Sequence, residues 1–585
     1  MRLRDSAQSH RDVAEQRSRL PTHARSYEYP GRTNWIYAAA LSGMFVVVAY
    51  LSVTGLANTY FWDDEAHVAI MANNVLATGH LTAWDGRNLH AYRNGVVLDK
   101  NLRQLGPPLD SLLVAGSFWL FGPSTWAGRL PFVLAGLASL VLFWGIVRHD
   151  LGQGRPTCLY AMGVLGLSPV FLLNIRQCRY YALALLFSLL AFYAYRRCLS
   201  TARLRHFITL ASASALLFYS SFFLAVAFLL ALGVVHGVFY RRRFGRKEWG
   251  KAALAVVVFA VTTLPALESV LHYPDLGQGE PWLMRRLTLW WWNMRDLNLL
   301  ACLPWTIAVG LFYVLLRYRQ HIPAARMAWQ WVTFSVAYVT CIAVFSPQPT
   351  TVPTIADIRY LIIVVPFLAG LAGLFLGYIH QRMPVVAGTL LLVLLTTNVL
   401  TLTPFNRQFQ WLLPAYIGEI HRAYPTSYEA VASFLQRHAT QDDVVFTFPE
   451  YTHPPLIFYV GERVRVCCLL NHHTLLPKAT THHLPAPLFI EEQFPHWFVA
   501  FGNHPQMWEL VRFFSRPHPR GNETVRFSYP LVHVLDVYWG ATHRPELPWH
   551  TFGPKTRFDR RTEAVYIFQR TEHIRDEQDS YASEF

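Results

Sequence analysis

Charge is scarce in this chain: of 585 residues 15% are charged, whereas 53% are hydrophobic and 15% aromatic. A soluble globular domain carries about 25% charged residues. That shortfall, with a positive mean hydropathy, excludes a single water-soluble fold and points to repeated membrane crossings. Cysteine is sparse too. Of seven, Cys158, Cys178, Cys198, Cys302 and Cys341 lie in or beside apolar runs, and only the adjacent Cys467 and Cys468 lie outside them. Neighbouring cysteines rarely bridge each other, so neither a disulfide framework nor a CxxC centre is indicated. No small-residue cleavage site follows the first apolar run, which therefore reads as an anchor behind a polar, arginine-rich tail over residues 1–34. Such a tail reads as a disordered cytoplasmic segment. Internal repeats are missing, and the one biased stretch is the loop 472–483. Its His472, His473, His482 and His483 lack ordered cysteine or carboxylate partners at helical spacing, so they read as a solvated loop and not a zinc site.

Acidic residues number 36 against 51 Lys and Arg, a net charge of +15. The excess does not imply nucleic acid, because the arginines sit in short clusters between apolar runs, where they orient spans. A crossing needs roughly 17–25 apolar residues. Runs near 35–56, 128–147, 157–174, 180–197, 206–221, 222–240, 251–268, 299–316, 328–345, 360–379 and 384–403 qualify as eleven expected spans. The run 109–121 is closed by Gly122-Pro123 and reads as a helix on the membrane surface, with Leu109, Leu112, Leu113 and Gly116 sharing a face. Charge parity supports this. With 109–121 on the surface, the basic clusters Arg2 to Arg32, Arg148 to Arg155, Arg196 to Arg205, Arg241 to Lys251, Arg317 to Arg326 and Arg382 all fall on one side, the cytoplasm.

The expected architecture is a polytopic α-helical membrane protein of about eleven transmembrane helices plus juxtamembrane helices, in the inner or plasma membrane with a cytoplasmic N-terminus. The loops 57–127, 174–180, 269–298 and 346–359 and everything after about residue 404 then lie outside. The 269–298 loop, with Arg285-Arg286 and Trp290-Trp291-Trp292, reads as an interfacial helix. After Pro404 the pattern becomes that of a C-terminal extracytoplasmic α/β domain, 404–585. Ser427 to His438 predicts an amphipathic helix with Ser427 as N-cap; Gln506 to Phe514 predicts another. Val444–Phe448, Val464–Leu469, Trp497–Phe501, Leu531–Tyr538 and Ala564–Phe568 predict strands.

The membrane part, 35–403, places its chemistry-bearing residues in the first outer loop. Asp63, Asp64 and Glu65 start a helix in which Val68, Met71 and Val75 recur on one face. Carboxylates there suit the helix dipole, and they also suit a general base held at the membrane surface. Pro107-Pro108-Leu109 is an ordinary helix start. Arg129 at a span entrance is an ordinary snorkelling position.

Order and spacing add weight to these weak signals. Trp62-Asp63-Asp64-Glu65-Ala66, Ala77-Thr78-Gly79-His80-Leu81, Pro107-Pro108-Leu109, Leu120-Phe121-Gly122-Pro123-Ser124 and Ala127-Gly128-Arg129-Leu130-Pro131 follow one another. Together they resemble the first extracytoplasmic loop of C-type-fold glycosyltransferases that use polyprenyl-phosphate sugars, the superfamily of protein O-mannosyltransferases and the aminoarabinose lipid A transferase. Asn174 to Leu183, with Arg179-Tyr180-Tyr181, and Asp357-Ile358-Arg359-Tyr360-Leu361 with Pro366 are similar to two later segments of that family.

The resemblance implies an enzyme that moves a sugar from a polyprenyl-phosphate carrier to an extracytoplasmic acceptor, which is a lipid, a glycan or a protein, by inverting displacement. It implies Asp64 as base, with Glu65 as the second catalytic acid that orients it or the loop helix. Arg179 and Arg359 become candidates for the donor phosphate. Asp63, Pro107, Pro108, Tyr180 and Tyr360 become substrate-loop residues. Some relatives place Lys before Pro-Pro where this chain has Gly106, and Lys100 or Arg103 are the candidate replacements. Cys178 stands where many relatives carry Glu. A divalent cation is needed by some members and not by others, and Asp63, Asp64 and Glu65 have the oxygen chemistry to hold one. Membrane lipids are expected partners. The chief rival is a transporter or flippase of a lipid-linked saccharide, which predicts ionisable groups at the bilayer midplane and pseudo-symmetric halves, neither evident here.

Overall fold

The computed structural model describes residues 31–90, 98–99, 101–150, 154–240, 245–267, 270, 281–301, 303–318, 323–346, 350, 358–401, 409, 411–423, 426–468, 494–520, 523–537 and 563–574. The N-terminal tail to residue 30, Lys100, Asp357 and the histidine-rich loop lie outside the described residues.

Helix α1 (Gly31–Val53) leads to α2 (Asp63–Thr78), which opens on the three acids and closes at Gly79 in the left-handed conformation, φ 76°, where a Cβ would be strained. Helix α3 (Leu109–Phe121) has 13 residues, about 20 Å at 1.5 Å per residue, too short for an apolar layer of ~30 Å. It turns Asp110, Ser111, Val114, Ala115, Ser117 and Phe118 inward and leaves Leu112, Leu113, Trp119 and Leu120 on the surface. This exposed apolar face suits a helix lying on lipid.

The bundle continues through α4 (Thr125–Asp150), α5 (Arg155–Gly166), α6 (Pro169–Ile175), α7 (Tyr181–Thr201), α8 (Leu204–Ser220), α9 (Phe222–Phe239) and α10 (Arg246–Thr263). Helices α5 and α6 are bent by 58° at Pro169, which cannot donate to the preceding turn. The break between α8 and α9 falls at Ser221 in extended conformation. Next come α11 (Trp282–Ala301), the expected interfacial helix, then α12 (Leu303–Tyr318), α13 (Pro323–Phe345), α14 (Val365–His380) and α15 (Pro384–Thr396).

A helix lies at each expected span. Among the described residues six helices are long and apolar enough to cross a membrane, seven when α5 and α6 count as one bent span, while residues 109–121, 306–317, 365–380 and 384–396 form shorter apolar helices. Helix α14 is central. Its Gly373 meets Ala161 of α5 so closely that an added Cβ would stand 2.5 Å from the Ala161 Cβ, Gly377 faces Thr157, and Gly370 faces Trp331 of α13. Small residues let the backbones approach and substitute dispersion contacts for a hydrophobic drive that lipid does not supply.

Beyond the bundle, α16 (Leu413–Ile420) and α17 (Ser427–His438) precede β1 (Val444–Phe448), α18 (His453–Val460), β2 (Arg465–Cys467), β3 (Trp497–Phe501), α19 (Pro505–Phe514), β4 (Pro517–Arg520), β5 (Glu523–Ser528), β6 (Leu531–Val537), β7 (Glu563–Gln569) and β8 (Thr571–Ile574). One sheet has the order β2-β1-β3-β7-β6, parallel across β2, β1 and β3 and antiparallel beyond; β4, β5 and β8 form a second. The N-cap of α17 is Thr426, whose hydroxyl accepts from the Glu429 amide at 3.1 Å, and not Ser427, which is buried as the first helical residue. Helix α18, opened by Pro454-Pro455, packs on α2. Its Tyr459 stacks on Tyr60, accepts the Phe61 amide at 2.8 Å and meets the Thr125 hydroxyl at 2.9 Å. The carboxy-terminal part is thus seated on the first loop.

Candidate active site

Successive residues of an α-helix point about 100° apart, so the three acids at the start of α2 cannot share a direction. Glu65 points inward and is 0% exposed. Arg129 Nε donates to its Oε1 at 2.8 Å, Arg129 Nη2 to its Oε2 at 2.6 Å, and the Cys178 amide to Oε1 at 2.8 Å. The remaining guanidinium protons go to the carbonyls of Leu56, Thr59 and Tyr60. Every group of this buried pair is satisfied, the condition under which such a pair is tolerated. Sealed from solvent, Glu65 ties the start of α2 to the span entrance at Arg129 and the turn at Cys178, a geometry that fits the helix-orienting part of its expected role. Asp63 is also buried.

Asp64 points elsewhere and stays partly exposed. Its Oδ2 accepts from Arg359 Nη1 at 2.9 Å and lies 3.4 Å from Arg179 Nη2, while Arg179 Nη1 donates to the Asp64 carbonyl at 3.2 Å. Fold geometry alone brings these together, Arg179 from the turn between α6 and α7 and Arg359 from the 3₁₀ turn Ile358–Leu361 before α14. All three side chains keep 13–16% exposure, so the cluster is reachable. Each arginine lies over the tyrosine that follows it, Arg179 5.4 Å from the Tyr180 ring and Arg359 5.1 Å from Tyr360. Arg176 ties the same turn to α1 through the carbonyls of Leu51, Thr54 and Gly55.

Pro107 and Pro108 open α3. Arg103 is exposed, its amide held by Asp99 Oδ1 at 2.7 Å. Sequence reasoning passed over two features. Asp110, in the first turn of α3, is buried beside Arg179; burial lifts its pKa to about 6 against the pull of that arginine. His67, one turn after Asp64, begins a row of histidines. Gln104 Nε2 meets His67 Nε2 at 2.5 Å, His67 Nδ1 meets His90 Nε2, His90 Nδ1 meets His453 Nε2 at 2.9 Å, and His453 Nδ1 meets the Glu450 carbonyl at 2.5 Å. Burial lowers the pKa of His67 to about 3, helped by Arg179, and that of His453 to about 4; His90 is lowered well below its ordinary value by burial. The only hint in the sequence was the three-residue spacing from Asp64 to His67, since His90 and His453 are 363 positions apart. Among the described residues no group of three His, Cys, Asp or Glu side chains is arranged to hold a metal ion.

The site is thus one carboxylate and two arginines gathered at the ends of helices of an apolar bundle. Residues 106–266 match the family model of the dolichyl-phosphate-mannose-protein mannosyltransferases. The fold is similar to that of ArnT from Cupriavidus metallidurans in the apo state, with a TM-score of 0.50 at 14% identity over 92% of this chain and 98% of that one. Other similar structures are the oligosaccharyltransferase AglB of Archaeoglobus fulgidus (TM-score 0.49, 10% identity, 79% of this chain and 69% of that one) and the protein O-mannosyltransferase complex Pmt1-Pmt2 of S. cerevisiae (0.30, 14%, 40% and 34%). No curated protein sequence matches the chain.

Proposed function

We propose that the protein transfers a sugar from a polyprenyl-phosphate carrier to an acceptor on the outer side of the membrane, by direct displacement at the anomeric carbon. The observation that carries this reading is the convergence of Arg179 and Arg359 on Asp64, which of the three acids opening α2 keeps the most exposure. A carrier phosphate needs cationic hydrogen-bond donors where negative charge accumulates as the sugar–phosphate bond breaks. Two arginines supply them. The acceptor hydroxyl must lose its proton as its oxygen bonds to the anomeric carbon, and Asp64 takes it. The departing phosphate needs no acid, because its second ionisation already lies near neutral pH. The arginines pair with Asp64; a bound phosphate would compete for them and leave the carboxylate less stabilised as an anion, hence more basic.

The topology belongs to the same reading. Eleven spans put the N-terminus in the cytoplasm and the first loop, the Arg179 turn and residues 404–585 outside, where sugar nucleotides are absent and a lipid-borne donor is required. The domain limits, 1–34, 35–403 and 404–585, follow from it.

The test is transfer in proteoliposomes from a radiolabelled polyprenyl-phosphate sugar pool to a membrane extract, comparing wild type with Asp64→Asn. Loss of transfer in a folded Asp64→Asn protein supports the proposal, and the labelled product identifies the acceptor. Undiminished transfer by Asp64→Asn overturns Asp64 as base. Lipid translocation without transfer by wild type would make the protein a flippase instead.

A further inference from the structure

The mechanism leaves one assembly unused, the row of three neutral histidines between Gln104 and the Glu450 carbonyl, His90 and His453 buried and His67 half-buried. Its direction is fixed by chemistry. A carbonyl oxygen only accepts, so His453 Nδ1 carries the proton that it donates to Glu450, and His453 Nε2 has a lone pair. His90 Nδ1 must then donate to His453, which makes His90 Nε2 an acceptor. His67 Nδ1 must donate to His90, which leaves the His67 Nε2 lone pair facing Gln104. That lone pair admits only the amide nitrogen of Gln104, and the carboxamide orientation follows. A single backbone carbonyl in the carboxy-terminal domain thus sets the orientation of a side chain on the first loop.

The place of that side chain gives the chain of bonds a use. His67 follows Asp64 by one turn of α2, about 4.5 Å along the axis at 1.5 Å per residue, and feels the charges of both Asp64 and Arg179. The Gln104 carboxamide is bonded to this same His67 ring. It is half-buried. Once Nε2 has given one proton to His67, the carboxamide retains a second N–H and Oε1, a donor and an acceptor side by side. Room for it depends on Gly106, since a Cβ there would come within 2.9 Å of Gln104 Nε2.

We propose that Gln104 is a specificity-determining ligand for a hydroxyl of the donor sugar, and that His67, His90 and His453 are positioning residues that aim its carboxamide. The inference rests on the proposed function, which puts the carrier phosphate on Arg179 and Arg359 and the anomeric carbon before Asp64. In this reading the ring attached to that carbon extends over the next turn of α2, toward the carboxamide. A paired donor and acceptor is the means by which a site tells one hydroxyl arrangement from another, because the wrong sugar leaves a partly buried polar group unpaired.

The experiment measures equilibrium binding to the full-length protein in nanodiscs. Its probes are short-chain polyprenyl phosphates carrying mannose, glucose, galactose or arabinose, and the same carrier bare. Wild type is expected to bind at least one sugar-bearing carrier more tightly than the bare one. Gln104→Ala is expected to weaken that carrier about tenfold, the size of one hydrogen bond, with bare-carrier binding unchanged. His453→Ala is expected to reproduce the loss, and His453→Gln, whose amide oxygen can stand at the Nε2 position and accept from His90, to restore most of it. A deoxy analogue of the preferred sugar should bind wild type and Gln104→Ala equally at one hydroxyl position. Equal loss of bare and sugar-bearing carriers in the variants, or no sugar preference in wild type, overturns the inference and leaves the transferase reading standing. Failure of wild type to bind any carrier, bare or loaded, overturns both.

Discussion

Asp64 and Glu65 are adjacent and chemically alike, yet the fold gives them opposite tasks, because one step along a helix turns the side chain by about 100°. Glu65 holds a buried pair with Arg129 and the Cys178 amide. Its replacement by Ala leaves a buried guanidinium without its anion and is expected to cost about 3–5 kcal/mol, seen as a large fall in the thermal unfolding midpoint in detergent. Asp64→Asn, which retains an oxygen toward Arg359, is expected to unfold close to wild type while losing transfer. If the two variants unfolded alike, the division of labour between these acids would be wrong. The motif announced a cluster of acids; which of them meets Arg179 and Arg359 was legible only once α2 had a packed face.

At the scale of elements, the end of α3 was readable, because Gly122-Pro123 stops a helix for local steric reasons, whereas the run 157–174, expected as one span, is broken before Pro169 into α5 and α6. Partners were not readable. Helix α14 carries Gly370, Gly373 and Gly377 at close approaches to Trp331, Ala161 and Thr157, whereas a Cβ added at Gly388 of α15 would meet nothing within 4 Å. Gly373→Leu is therefore expected to prevent close packing of α14 on α5 and to abolish a folded, monodisperse peak in size-exclusion chromatography, while Gly388→Leu elutes as wild type. The short helix α3 makes a second prediction. A spin label at Trp119→Cys, on its exposed apolar face, should report a shallow depth near the headgroups by relaxation agents in lipid; a depth at the bilayer centre would make α3 a crossing and reverse the side assigned to every later loop.

For the whole molecule, the carboxy-terminal part is built into the site, through Tyr459 against Tyr60 and Phe61 and through His453 in the histidine row. This has a pH consequence. His67 and His453 ordinarily titrate at 6.5 and are lowered by burial to about 3 and about 4, with His90 also lowered. As pH falls below 6.5 the unfolded chain binds protons that the folded chain refuses, so stability present above 6.5 is lost progressively toward pH 4 and 3. Asp110 runs the other way. Its carboxyl, raised from 3.8 to about 6, is protonated first in the folded state and adds stability as pH falls from about 6 to 3.8. Three groups oppose one, and the net expectation is a fall. Unfolding midpoints measured from pH 7.5 to 4.5 should decline, with a shallower slope in His453→Phe; equal slopes would show that the row does not govern the docking.

The sequence by itself determined that the chain is a multi-helical membrane protein with acids, a Pro-Pro helix start and arginines at span ends, because hydropathy, helix punctuation and motif order are local properties of the chain. The strands at 444–448 and 497–501 were legible for the same reason, as runs of alternating and β-branched or aromatic residues. Only the tertiary structure decided that Arg179 and Arg359 close on Asp64, that Arg129 belongs to Glu65, and that His453 reaches His90. These contacts join positions 64 to 363 residues apart, and an ion pair or hydrogen bond acts over a few ångströms. No local pattern along the chain records which distant groups the packing of the helices will bring within that distance.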